Sequence, residues 1–229
     1  MKPILGKPMV EQMIERVMRS RYVKEVTIAT TNLPEDQPLF ELAQKNGISC
    51  YRGSAEDVLE RITEAAHQSK ADLIVELLGD NPLVHADLID EVIEFYQSGS
   101  FDYVANVTTE YPHAGSNLKK FPTGIRVQVF PVEILEQCEK ESHTPYHREN
   151  STTYIYENPE SFRLGYFEAK GRWESLNRPE LTFAVNYQKN FDLVSYIFET
   201  AYPNDPNFSL SEVMKIYDSN PTLKDLMGN

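Results

Sequence analysis

The sequence has 229 residues, of which 41% are apolar and 11% aromatic, so it can bury the core of a single domain. A formal net charge of -13, from 22 basic and 35 acidic residues, argues against a nucleic-acid or anionic-membrane surface. Cys50 and Cys138 lie far apart with no metal-binding spacing, no apolar run reaches the ~20 residues that cross a bilayer, and no signal peptide is recognised. A cytoplasmic protein is expected.

Helical and strand patterns alternate through the first half of the sequence. The stretch Met1 to Pro8 is too short and too broken by proline to be a strand, and Pro8 suits the first position of a helix that ends near Arg19. Further elements are predicted as a strand at 25–30, a helix at 38–45, a strand at 48–51, a helix opened by Ser54 and running to 69, a strand at 73–78, a helix at 86–97 and a strand at 102–106. This alternation predicts an α/β fold with a doubly wound, mostly parallel sheet.

The second half begins with an irregular stretch, 107–120, that is typical of a mobile flap. The strand predicted at 125–130 alternates strictly, so Arg126 and Gln128 share a polar face that is either solvated or lines a pocket. Because such a strand suits a doubly buried position poorly, we expect it to project from the main sheet with the flap, 107–130, and to pair with another chain in a homodimer. The remaining predicted elements are helices at 131–140 and 145–154, strands at 163–168 and 181–185, and helices at 186–201 and 209–217. No linker divides residues 1–229, which predicts one domain.

The turn after the strand at 73–78 carries the first candidate site. Gly79 and Asp80 follow the strand directly, and ligands bind at the carboxyl ends of strands in open α/β sheets, so Asp80 is a candidate metal ligand. Asp80 as a simple turn residue is the alternative. Gly53 and Ser54 also follow a strand and either face the same ligand or only start a helix. His147 is an acid/base or anion-binding candidate, or a structural histidine.

Taken together, these motifs resemble the cytidylyltransferases. The resemblance rests on Ile28-Ala29-Thr30, the Gly-Ser-x-x-Asp-Val-Leu-x-Arg run at 53–61, Gly79-Asp80-x-Pro82-Leu83, Asp102-Tyr103-Val104-x-Asn106, the run 124–130, His147-Arg148-Glu149 and Phe183-x-Val185. The branch it resembles is the spore coat polysaccharide biosynthesis protein F group, related to the acylneuraminate and 3-deoxy-manno-octulosonate cytidylyltransferases that make CMP-activated acidic sugars.

The resemblance implies a Rossmann-like nucleotidyltransferase domain that uses CTP, a sugar and Mg²⁺, with a sugar oxygen attacking the α-phosphate. The residues it implies for catalysis are Asp80 and Arg148. The metal positions are Asp80 and Asn186. The nucleotide-binding positions are Lys7, Gly53, Ser54, Gly79 and Asn81. The substrate-binding positions are Asn106, Arg126, Gln128 and His147. We expect Gly53, Ser54 and Asn186 to converge on Asp80, with Asn186 within about 15 Å of it, the span of a nucleotide pocket.

The sequence departs from this family in three places. The usual first strand and the anion-binding loop ending in Leu-Pro-Gly-Lys have no counterpart before Met1, so the first strand is expected to be missing. Arg126 and Gln128 stand where relatives carry Asp and Glu, and Asn186 stands at the second metal carboxylate. These departures predict weak CTP binding and little turnover, and they keep open a catalytically impaired nucleotide- or sugar-binding homologue. A glycosyltransferase of similar fold is a further alternative, although the sequence has no Asp-x-Asp.

Overall fold

The computed structural model describes residues 2–226 as alternating strands and helices. The strands are β1 Pro3–Ile4, β2 Lys7–Pro8, β3 Thr27–Thr31, β4 Ser49–Gly53, β5 Leu73–Glu76, β6 Tyr103–Asn106, β7 Gln128–Pro131 and β8 Leu164–Phe167. The α-helices are α1 Met9–Val17, α2 Gln37–Asn46, α3 Val58–Ser69, α4 Ala86–Ser98, α5 Val132–Glu141, α6 Pro145–Glu149, α7 Thr153–Glu157, α8 Gln188–Ala201 and α9 Leu210–Ser219. Within these residues, no helix is long and apolar enough to cross a membrane.

The sheets have mostly parallel strand directions, which confirms the predicted α/β fold. Strands β3 and β4 pair in parallel, and a four-stranded sheet has the order β5-β7-β6-β8. In that sheet β7 runs antiparallel to both β5 and β6, whereas β6 and β8 are parallel. Strands β5, β6 and β8 therefore share one direction and β7 alone is reversed.

The central position of β7 corrects one prediction. The strand at 125–130 was expected to project from the main sheet, yet Gln128, Val129 and Phe130 are fully buried between β5 and β6. The preceding segment is also anchored, since Tyr111 and Phe121 are buried and Phe121 N–H donates to Val107 O at 2.8 Å. A polar side chain in an alternating pattern can face a protein interior when that interior supplies hydrogen-bond partners.

Three local predictions are also corrected. The N-terminal segment forms a β1–β2 hairpin whose turn residues, Leu5 (φ 51°) and Gly6 (φ 78°), both have the positive φ that a tight hairpin turn requires. Helix α3 is capped by Asp57, whose carboxylate accepts from Glu60 N–H at 3.0 Å, and not by Ser54. The stretch 181–185 was predicted as a strand, but among residues 2–226 it forms a single isolated bridge, Thr182 to Thr123.

Two apolar clusters form the core around the sheets. The larger one joins α1, α4, α8 and α9 through side chains such as Met13, Leu88, Ile197 and Met214. The smaller one packs α3, α5 and α7 against the other side of β6 and β7, through Leu59, Leu135 and Ile155. Burial of amphipathic helices on the sheet fixes the loops at the strand ends, where the candidate site lies.

Candidate functional site

The turn after β5 holds Asp80 and Asn81 in one compact unit. Asn81 N–H donates to Leu78 O at 3.0 Å, and the buried Asn81 amide donates through Nδ2 to Asp80 Oδ1 at 2.8 Å. Its Oδ1 is buried and has no hydrogen-bond partner within residues 2–226. Asn81 thus orients the Asp80 carboxylate and leaves one buried acceptor unused.

The stretch 181–185 brings Asn186 next to Asp80. Val185 N–H donates to Asp80 O at 2.9 Å. Asn186 is the next residue, so the two predicted metal positions, Asp80 and Asn186, are close neighbours. This spacing lies well inside the predicted limit, and the expected proximity of Asp80 and Asn186 is confirmed. Asn186 is exposed, so its amide is free to meet a ligand.

Two charged side chains of the segment between β6 and β7, Glu110 and Arg126, influence the pKa of Asp80. Burial raises the pKa of Asp80, Glu110 raises it further, and the Arg126 guanidinium opposes both effects. A partly desolvated carboxylate beside a cation is typical of a functional site, although structural ion pairs produce the same shifts.

Arg126 itself is largely buried. Its side chain is 12% exposed, and its Nη1 donates to Glu110 Oε1 at 3.3 Å. Burial lowers the pKa of Arg126, but its acidic surroundings, which include Glu110, raise it on balance, so the guanidinium stays charged. The site therefore contains a permanent cation in a chain of strongly negative net charge.

A buried hydrogen-bond network lies beneath the site. Glu76 on β5 accepts from Ser151 Oγ at 2.6 Å and from Gln128 Nε2 at 2.9 Å. Gln128 Oε1 accepts from Thr152 Oγ1 at 2.9 Å and from the hydroxyl of Tyr103. Burial raises the pKa of Glu76, and Ser151 and Arg126 oppose that shift. Gln128 is consequently a fully engaged residue of the sheet interior.

The turn at Asp80 offers one carboxylate that could hold a divalent cation. Residues 2–226 contain no group of three or more His, Cys, Asp or Glu side chains that could hold a metal. Mg²⁺ usually keeps several waters and binds one or two carboxylates together with substrate phosphates. The Asp80 carboxylate and the Asn186 amide oxygen suit that mode and not a closed protein cage.

Three predicted nucleotide-binding residues, Gly53, Ser54 and Lys7, contact residues other than Asp80. Gly53 ends β4 and accepts from Asn32 N–H at 3.0 Å, and Ser54 Oγ accepts from Asp57 N–H at 3.0 Å. Lys7 lies on β2 and forms an ion pair with Glu15. No described hydrogen bond or ion pair joins these residues to Asp80, and their nucleotide roles stay predictions.

The predicted substrate and catalytic residues of the second half are likewise engaged. Asn106 ties β6 to the approaching strand, accepting from Val127 N–H at 2.7 Å and donating to Ile125 O at 3.2 Å. Arg148 Nε donates to Asp57 at 2.7 Å, and its guanidinium also contacts Glu139 at 3.4 Å. His147 Nε2 lies 3.0 Å from Glu157. Between residues 2 and 226 no described polar contact links Arg148 or His147 to Asp80, so their roles also stay predictions.

Glu76 and Glu110 are two residues of this region that the sequence reasoning missed. Glu76 could have been noticed as the single acid in an apolar strand, because such a residue needs buried partners. Glu110 carries no comparable signal, since it lies in an irregular, polar stretch.

Comparison with known proteins places the chain in a family. Residues 1–178 match the family model for cytidylyltransferases. An uncharacterized protein of Methanocaldococcus jannaschii, MJ1063, is 32% identical over 219 residues, which are 96% of this chain and 83% of that protein. The spore coat polysaccharide biosynthesis protein SpsF of Bacillus subtilis is 24% identical over 228 residues, 96% of this chain and 88% of its own length.

The fold is similar to that of a solved structure. A cytidylyltransferase from Leptospira borgpetersenii superposes with a TM-score of 0.85 at 23% identity, covering 96% of this chain and 87% of that one. The family model spans more than half of the sequence and agrees with the resemblance in the motifs. The chain belongs to the cytidylyltransferase family.

Proposed function

We propose that this protein transfers CMP from CTP to a sugar, with Mg²⁺, in the synthesis of surface polysaccharide precursors. Membership of the cytidylyltransferase family supports the nucleotidyl transfer, and the name of SpsF supports the polysaccharide role. The single observation that carries the proposal is the Val185–Asp80 backbone hydrogen bond, because it brings the backbone at Asn186 close to Asp80. Oxygen donors so arranged suit a metal–triphosphate complex.

In the proposed reaction a sugar hydroxyl oxygen forms a bond to the α-phosphorus of CTP, and the bond from that phosphorus to the pyrophosphate oxygen breaks. Pyrophosphate leaves, and the hydroxyl proton is released to solvent. Bound Mg²⁺ would stabilise the charge that develops on the phosphate oxygens. Asp80 would orient that ion, and Asn81 would hold the Asp80 carboxylate in place through its amide donor. Arg126 would supply fixed positive charge near the triphosphate, which this acidic chain must provide locally.

A second candidate is a nucleotide- or sugar-binding homologue with little turnover. Two observations favour it. Asn186 is a neutral, weaker donor than a carboxylate, and the Lys7 ammonium is already paired with Glu15.

The deciding experiment follows pyrophosphate release, with mass spectrometry of the nucleotide sugar, for residues 1–229 with CTP, Mg²⁺ and a panel of acidic and neutral sugars. Asp80→Asn should lower turnover by at least about 100-fold, as expected when a metal-orienting carboxylate is lost. Asp218→Asn is the matched control, because Asp218 is 55% exposed and pairs only with Arg178 among the described residues. CMP-sugar formation that Asp80→Asn leaves unchanged would contradict the proposed site.

Absence of turnover combined with saturable CTP binding would favour the binding homologue. In that case Asn186→Asp restores a second carboxylate and should tighten Mn²⁺ binding, measured by electron paramagnetic resonance, by about tenfold. The homodimer also stays a proposal, and light scattering at micromolar concentration tests it.

A further inference from the structure

Arg126 has fewer hydrogen-bond partners than its burial requires. The more deeply buried Arg16 donates to three backbone carbonyls, those of Leu83, Val84 and Phe208, at 3.0–3.4 Å, and leaves its Nη1 without a partner within residues 2–226. Arg126 makes one described hydrogen bond, the 3.3 Å contact to Glu110, although its side chain is only 12% exposed. Its Nε is buried and has no acceptor within residues 2–226. A buried guanidinium with unused donors is costly unless another acceptor arrives.

Glu110 is bound only weakly to the Arg126 guanidinium. Its side chain is 37% exposed, and its second carboxylate oxygen accepts from Thr108 Oγ1 at 3.0 Å. The contact to Arg126 uses one N–H and lacks the two parallel bonds of a full arginine–carboxylate fork. A half-exposed carboxylate that meets the guanidinium through one long bond can be exchanged for another oxyanion at low cost, while its bond to Thr108 is kept.

The position of Arg126 connects it to the candidate site. Arg126 lies two residues before β7, whose Gln128 pairs with Glu76 of β5, the strand that leads to Asp80. The charge of Arg126 acts on Asp80, whose backbone carbonyl binds the residue before Asn186. Arg126 lowers the pKa of Asp80, whereas Glu110 raises it. A ligand oxyanion that replaced Glu110 would put its own negative charge beside Arg126 and could accept from the unpartnered Nε–H.

We propose that Arg126 binds an oxyanion of the ligand and that Glu110 is the resident counter-ion which this oxyanion replaces. The planar guanidinium fits phosphate and carboxylate oxygens equally, so the oxyanion comes either from the nucleotide triphosphate or from an acidic sugar. The inference rests on the proposed function for the ligands that it names.

The main test uses Glu110→Gln, which removes the competing charge and leaves the guanidinium intact. Isothermal titration calorimetry measures the affinity for inorganic tripolyphosphate, for cytidine, for a hexuronic acid and for the matching neutral hexose. Glu110→Gln should tighten binding of tripolyphosphate or of the hexuronic acid about fivefold, and the probe that responds identifies the source of the oxyanion. Cytidine and the neutral hexose should be unaffected. Glu174→Gln is the control, because Glu174 is 54% exposed and pairs with Lys119.

A second variant, Arg126→Lys, keeps the charge but loses the fork and should weaken the same oxyanion about tenfold. Equal affinities of wild type and Glu110→Gln for both anions, or no anion binding by either protein, would overturn the proposal even if Arg126→Lys fails to fold. These outcomes are separate from the fate of the proposed function. A CTP-dependent enzyme that Glu110→Gln does not affect refutes the oxyanion site alone, whereas oxyanion binding without nucleotide turnover refutes the enzyme alone.

Discussion

The position of Asn186 depends on Gly124, and this dependence gives a sharp prediction. Gly124 has φ 85°, and a Cβ built on it would lie 2.0 Å from Ala184 N and 2.2 Å from Phe183 C. The close approach allows Phe183 N–H to donate to Thr123 O at 2.8 Å, which aligns 181–185 for the contact between Val185 and Asp80. Gly124→Ala must therefore move backbone at the candidate site.

The expected magnitude comes from two contributions. A non-glycine residue in the left-handed region costs about 1–2 kcal/mol, and displacing buried backbone adds about 1–3 kcal/mol of the kind seen in overpacked cores. We expect Gly124→Ala to lower the free energy of unfolding by about 3 kcal/mol. The control is Gly47→Ala, because Gly47 has φ 66° with nothing within 4 Å of a built Cβ and should show only the first contribution, about 1 kcal/mol.

Urea unfolding followed by circular dichroism measures both free energies, and Mn²⁺ titration of the folded variants reports the site. Gly124→Ala should bind Mn²⁺ more weakly than Gly47→Ala at equal folded fraction. Free energies of unfolding that agree within about 0.5 kcal/mol for the two variants would refute the argument that backbone contact at Gly124 sets the site.

Two further predictions concern stability. Burial and the neighbouring Arg16 lower the pKa of His85, whose Nδ1 accepts from Asp87 N–H and whose Nε2 lies 3.3 Å from Asn207 O, so folding favours its neutral form. Because the unfolded histidine binds protons more readily, stability should fall as pH drops from about 6.5 toward the lower folded pKa, and His85→Gln should reduce this slope in urea titrations. Asp57→Ala should lower the free energy of unfolding by about 1–2 kcal/mol through loss of the α3 cap, whereas Asp57→Asn keeps the cap and should lose less; equal losses would assign the effect to the Arg148 ion pair.

The helices were predictable because their apolar positions recur with helical period. The helix expected at 86–97 is α4, and Gly47, with positive φ, ends α2 as predicted. The central position of β7 was not predictable from its own residues. A polar Gln128 is tolerated in the interior only because Glu76, Tyr103 and Thr152 supply partners, and these lie 24 or more residues away along the chain.

The same distinction applies to the candidate site. The proximity of Asp80 and Asn186 follows from where their extended segments end, which motif order predicts. The burial of Arg126 and its contact with Glu110 depend on how the segment between β6 and β7 folds back, and no short-range pattern encodes that path. The engagement of Arg148 with Asp57 is likewise set by the packing of α6 against α3.

The network beneath the site limits how far any ligand-driven change can spread. Tyr111 is 1% exposed, its hydroxyl oxygen lies 3.2 Å from that of Tyr103, and its ring packs against Tyr156 at 5.2 Å. Glu110, the preceding residue, is exposed and held by Arg126 and Thr108 alone among the described residues. Displacing Glu110 breaks one long hydrogen bond, whereas moving Tyr111 would open a buried aromatic contact, which costs several times more. Exchange of the Arg126 counter-ion should therefore be local to the loop before Tyr111, so hydrogen exchange on adding the oxyanion should change at 108–110 and leave Tyr111 and β7 protected.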